Sequence, residues 1–156
     1  MQKIPNSALG RLSPEAFAAT EKYPVVVVLD NIRSLNNVGS FFRTCDAFAM
    51  ERIVLCGIKE IHKTALGAEL TVRWDYEKLT TDALQQLRGE GYTLLAVEQV
   101  EKAARLTTFE VEKGKKYALV FGNEVDGVAQ EAVDLCDGAV EIPQQGTKHS
   151  LNVAVS

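Results

Sequence analysis

Three short stretches of this sequence gather the side chains that can bind or move charge. The first runs Asp30-Asn31-Ile32-Arg33-Ser34-Leu35-Asn36-Asn37-Val38-Gly39-Ser40-Phe41-Phe42-Arg43. Asparagine is a good helix cap, so the amides predict a helix that begins near Asn36 or Asn37. Gly39 would let another backbone approach its first turn. Arg43 follows Asn37 by nearly two turns, a spacing read here as placing both on one helix face. Amides, a glycine and a guanidinium at one strand end form a plausible anion site. The bland alternative, a capped helix with a surface arginine, is the commoner use of such residues.

The second stretch is Gly122-Asn123-Glu124-Val125-Asp126-Gly127-Val128. Its glycines have the spacing of a phosphate-cradling loop, but Val128 stands where that loop needs lysine, so a nucleotide triphosphate site is rejected. No G-x-G-x-x-G occurs, which leaves a dinucleotide or flavin-binding module without its phosphate loop. Taken alone, Glu124 is a carboxylate at a helix start, facing solvent or complementing the dipole. The third stretch runs from Glu141-Ile142-Pro143 through Gly146 and Lys148-His149 to Ser150-Leu151-Asn152-Val153-Ala154-Val155. Ser150 reads as the cap of a final helix. His149 and His62 are the only histidines, with no partner carboxylate evident, so a metal centre and a Ser-His triad are both rejected.

Each stretch must be held by a regular element. Val25-Val26-Val27-Val28-Leu29 is a continuous apolar, mostly β-branched run, which suits a strand buried on both faces of a parallel sheet. Further strands are predicted at Arg52–Cys56, Thr93–Val97, Tyr117–Phe121 and Ala139–Ile142. Helices are predicted over 37–48, 80–88 and 128–136. Ser13-Pro14-Glu15 starts a short helix to about Thr20, after a loose lead-in over residues 1–12. Alternating strands and helices predict a three-layer α/β fold with a mostly parallel sheet, whose ligands sit beyond the carboxyl ends of the strands.

The 156 residues suffice for one domain, with 46% hydrophobic and 24% charged residues. The longest aliphatic run is far too short to span a membrane, and no secretory signal is visible. Cys45, Cys56 and Cys136 lack C-x-x-C spacing and suit a reducing compartment, so a cytoplasmic location is expected. A net charge of −4 counts against general phosphate binding but leaves room for a local patch, for which Arg33, Arg43, Arg73 and Lys148–His149 are candidates.

Together, Asn37-x-Gly39-x-x-x-Arg43, Phe121-Gly122-Asn123-Glu124-x-x-Gly127, and Ile142-Pro143 with Ser150-Leu151-Asn152 resemble the three motifs of the SpoU/TrmH family of the SPOUT superfamily. The motifs occur in the family's order, and the resemblance covers most of residues 24–156. It implies a SPOUT-like α/β domain over 24–156 with a C-terminal trefoil knot, preceded by an arm and short helix over 1–23. It also implies homodimers that transfer a methyl group from S-adenosyl-L-methionine to a ribose 2′-hydroxyl of tRNA or rRNA. Carried over by motif, Gly122, Ile142 and Leu151 hold the cofactor, with Val97 and Glu98 completing the pocket. Arg43 matches the family's catalytic arginine, with Asn37, Glu124, Ser150 and Asn152 around it. Family members continue through a last helix, whereas this sequence stops at Ser156, in what reads as that helix's first turns. A catalytically inactive RNA-binding protein of the same fold is the alternative.

Overall fold

The apolar run that opens the domain forms β1 (Tyr23–Asp30), and both its faces are covered. Val26 and Val28 enter a core with Leu84, Leu87, Leu94 and Val120. Val27 and Leu29 enter a second core with Phe41, Phe42, Ile53, Leu55 and Phe121. Successive residues point to opposite faces of a strand, so only a sequence without alternation can feed both cores. The structure, a computed structural model, describes every residue except His62.

The remaining elements are α1 (Pro14–Ala19), α2 (Leu35–Ala47), β2 (Met50–Cys56), β3 (Trp74–Glu77), α3 (Thr80–Gly89), β4 (Tyr92–Val97), β5 (Ala104–Arg105), β6 (Lys116–Phe121), α4 (Gln130–Leu135) and β7 (Gly138–Glu141). The strands form one sheet in the order β3-β2-β1-β6-β4-β7-β5. Every pairing between neighbouring strands is parallel. Residues of α2 pack into one core, and those of α3 and α4 into the other, giving the expected three layers. The late strand β6 lies between the early strands β1 and β4, so the loop that leaves it rises between theirs.

The five strands and three main helices predicted from the sequence all form, within a few residues at their ends. The two unpredicted strands, β3 and β5, are the edges of the sheet. Trp74-Asp75-Tyr76-Glu77 is only half-buried and Ala104-Arg105 is exposed, so neither carries the apolar run that marks a central strand. Ser13 caps α1 as expected, its Oγ accepting from Ala16 N at 3.2 Å. The cap of α2 is Ser34, two or three residues earlier than expected; its Oγ accepts from Asn37 N at 3.4 Å. Asn37 therefore lies inside the helix, with its side-chain amide free for other contacts.

The final helix expected from Ser150 is not formed. Asn152 organises a single turn instead, its Oδ1 accepting from Ala154 N at 3.0 Å and its carbonyl from Val155 N at 2.9 Å. One turn gains few hydrogen bonds for the dihedrals it fixes, so packing has to hold it. Val153 and Ala154 supply that packing against the core beneath α2.

Gly39 is where α2 meets the turn Lys63–Ala65. A Cβ there would lie 2.0 Å from Thr64 Oγ1 and 2.6 Å from Ala65 N. The second contact is backbone and cannot rotate away. Gly39→Ala is expected to destabilise the fold by about 1–3 kcal/mol, read from urea denaturation midpoints. An unchanged midpoint would mean that α2 and this turn are not packed as described.

Candidate functional site

In a parallel sheet the carboxyl ends of all strands lie on one side, so their loops share one rim. The segments that follow β4, β6 and β7, together with residues 149–153, enclose a cavity of about 580 Å³ there. Val97, Gly122, Glu124, Ile142, Ser150, Leu151 and Asn152, all singled out from the sequence, line it. Glu98, Asp126 and Glu141 line it too, and among the described residues no lysine or arginine does.

The loop after β6 is a closed ring. Asn123 and Gly127 exchange backbone hydrogen bonds of 3.1 and 3.0 Å, and Asn123 Oδ1 accepts from Val125 N and Asp126 N, each at 2.9 Å. The glycines permit this closure. Gly127 has φ +70, and a Cβ on Gly122 would lie 1.9 Å from the Gly127 carbonyl carbon. The close approach allowed by Gly122 is thus made by its own loop.

Three motif residues, far apart in sequence, meet in one hydrogen-bonded chain. Asn152 Nδ2 donates to Asn37 Oδ1 at 3.3 Å, and Asn37 Nδ2 donates to Glu124 Oε1 at 2.6 Å. Partial burial raises the pKa of Glu124, but hydrogen bonds from Asn37 and from the backbone of Glu124 itself, Arg33 and Ser34 outweigh it and hold the carboxyl below its ordinary range. Glu124 therefore anchors the loop after β1 as well as α2. An exposed ion pair, Arg33–Asp126 at 3.3 Å, spans the same two loops.

Arg43 does not share this face. Six helical residues turn through about 600°, so Arg43 stands well round α2 from Asn37. Asn37 is buried at 9% exposure, whereas Arg43 is exposed. Arg43 lines a second cavity of about 920 Å³ with Arg11, Phe17, Ser40 and Phe48, and has no hydrogen-bond or ion-pair partner among the described residues. The expected basic patch does not assemble. Arg33 pairs with Asp126, Arg73 lies by Arg52, and Lys148 lines another pocket with His149. His149 contributes its carbonyl, which accepts from Gln99 Nε2 at 3.0 Å. His62 lies outside the described residues, among which no group of ligands suited to a metal ion occurs.

This cluster of strand-end loops agrees with the family pattern read from the sequence. The chain belongs to the SpoU rRNA Methylase family, whose profile matches residues 24–156. It is 32% identical over 139 residues to a tRNA (guanosine(18)-2′-O)-methyltransferase of Thermus thermophilus, an alignment covering 85% of this chain and 69% of that enzyme. Its fold is similar to the crystal structure of the Aquifex aeolicus TrmH/SpoU tRNA modifying enzyme, with a TM-score of 0.79, 26% identity, and coverage of 89% of this chain and 72% of that one. The fold is also similar to that of an AdoMet-bound rRNA methyltransferase from Sinorhizobium meliloti, at a TM-score of 0.76 and 24% identity, covering 93% of this chain and 57% of that one.

The Glu124 contacts carry a pH signature. Its folded-state pKa is depressed, so its ionised form adds stability above the ordinary value of 4.5, and that stability is lost as pH falls through the folded pKa. Wild-type protein is expected to be more stable than Glu124→Gln at neutral pH, with the gap closing as the solution is acidified below that value. Denaturant titrations across that range check it; a gap that stays constant with pH rules out this role for the charge.

Proposed function

We propose that this protein transfers the methyl group of S-adenosylmethionine to a ribose 2′-hydroxyl of tRNA or rRNA, in the cytoplasm and as a homodimer. The observation that carries this reading is the strand-end cavity, anionic in its lining and tied by Asn37, Glu124 and Asn152 to the first family motif. A cavity of this size is suited to a nucleoside-sized ligand. Carboxylates without lysine or arginine favour a cationic sulfonium and disfavour phosphate-bearing cofactors. Gly122, Ile142, Leu151 and Val97 would hold the cofactor through backbone groups and apolar contact. Bound there, S-adenosylmethionine supplies an electrophilic methyl group.

The chain's own task is alignment. Asn152 stands on the cavity wall and is held from behind by buried Asn37 and, through it, by Glu124, so a ribose would meet a wall that needs no reorganising. Ser150 stands on the same wall. Transfer would place the methyl group on the 2′-oxygen and leave the cofactor as a neutral thioether, with the hydroxyl proton passing to water. A guanidinium stays protonated in most settings, so Arg43 acts by holding an RNA phosphate and stabilising developing charge. Since Arg43 opens onto the second cavity, we assign it to the cofactor cavity of the neighbouring protomer. The seating of Val153 and Ala154 beneath α2 supports a C-terminal segment tied into the family's trefoil knot. Residues 24–156 form the catalytic domain and 1–23 an arm beside it.

Calorimetry with S-adenosylmethionine tests the cofactor; absence of binding rejects the enzyme in favour of an inactive RNA-binding protein. Mapping of ribose methylation with and without the gene tests the reaction. Arg43→Ala is expected to abolish transfer, and substantial activity in that variant excludes the assigned role. Mixing Arg43→Ala with the cavity-blocking variant Ile142→Arg should restore about a quarter of wild-type activity through heterodimers with one intact site. No recovery from two folded, individually inactive variants would place Arg43 in its own protomer's site.

A further inference from the structure

Two carboxylates that the family motifs do not include act on the cofactor loop. Asp30 ends β1 and Glu98 follows the last residue of β4, and these strands flank β6 on either side. Glu98 Oε2 accepts from Val128 N at 3.0 Å, and Asp30 Oδ2 accepts from Ala129 N at 2.8 Å. Two consecutive amides at the exit of the 122–127 ring are thus each held by a carboxylate from a different neighbouring strand. Each carboxylate is itself fixed. Asp30, at 5% exposure, accepts from Thr80 Oγ1 at 2.5 Å through its other oxygen, and Glu98 Oε1 accepts from Gln99 N at 2.8 Å. Glu98 also lies against the loop's left-handed glycine, since a Cβ on Gly127 would fall 2.3 Å from Glu98 Oε2.

We propose that Asp30 and Glu98 are positioning residues: a two-sided clamp that sets the shape of the 122–127 loop and, through it, the affinity of the cavity for its cofactor. This rests on the S-adenosylmethionine reading for the ligand, though the clamp itself rests on geometry alone. The ring of Asn123 and Gly127 bonds closes the loop on itself but leaves its tilt over the sheet free. The Val128 and Ala129 bonds remove that freedom from the exit side, as Glu124 does from the entry side. A charged acceptor on a backbone N–H makes a stronger bond than a neutral pair.

Glu98→Ala removes the acceptor and leaves Val128 N unpaired. The dissociation constant for S-adenosylmethionine, and for its demethylated product, is expected to rise about tenfold. The melting temperature should fall by only a few degrees, the cost of one unpaired amide. Glu98→Gln keeps an oxygen that can accept from Val128 N and should recover most of the affinity. Amide hydrogen exchange of Val128, read without ligand, should speed up in the alanine variant and not in the glutamine one; Asp30→Ala set against Asp30→Asn provides the same comparison at Ala129. Wild-type affinity in Glu98→Ala overturns the proposal, because a purely structural contact would move only stability. Glutamine as weak as alanine also overturns it, because Glu98 would then act on the ligand by its charge. If the wild-type chain binds no S-adenosylmethionine, the functional reading fails, and unchanged Val128 exchange in Glu98→Ala would overturn the clamp independently.

Discussion

The hydrogen-bonded chain Asn152–Asn37–Glu124 is the contact on which the site depends. It joins α2, the loop after β6 and the C-terminal turn. Each of these segments has packing or backbone bonds of its own, and this chain fixes the three relative to one another. Asn37 serves as the junction because its amide offers both a donor and an acceptor, and both are used. An aspartate in its place would set a second carboxylate against Glu124, and a leucine would leave both neighbours unpaired.

The parallel sheet explains why such a junction is required. Strands that all run one way deliver their loops to one rim, but nothing in the ladder dictates how those loops sit relative to one another. That geometry has to come from side chains. Here it comes from short polar groups at strand ends and helix starts, placed where backbone N–H groups would otherwise lack partners. The far end of the sheet is held differently. Arg52, at 4% exposure, is bound by Asp75 at 2.9 Å and by Glu90, which ties β2 to β3 and to the end of α3. Burial disfavours its charge, yet these acidic partners outweigh that and raise its pKa.

Much of this was legible in the residues. The β-branched run before Asp30 announced a strand with two covered faces, and Gly39 announced a close backbone approach. Other features were hidden for physical reasons. Ser34 and Asn36 are equally good caps in isolation, and the choice between them follows from Asn37 being required inside the helix by Glu124, a residue 87 positions away. The shared face inferred for Asn37 and Arg43 failed because six positions leave a residue about a third of a turn from alignment. The family resemblance placed Glu98 at the pocket but not on Val128, and Asp30 gave no signal of its own, since a carboxylate at a strand end is ordinary until its acceptor geometry is known.

The net charge of −4 looked adverse to an RNA partner, and the distribution of charge accounts for it. Glu124, Asp126 and Glu141 line the cavity proposed for a sulfonium, which has no lysine or arginine among its described lining residues, while Arg11 and Arg43 stand on another beside Glu21 and Asp46. Arg43 has no hydrogen-bond or ion-pair partner among the described residues and so is available to a phosphate. On the proposed reading, the carboxylates and Arg43 meet at one reacting centre, where desolvation strengthens each of them.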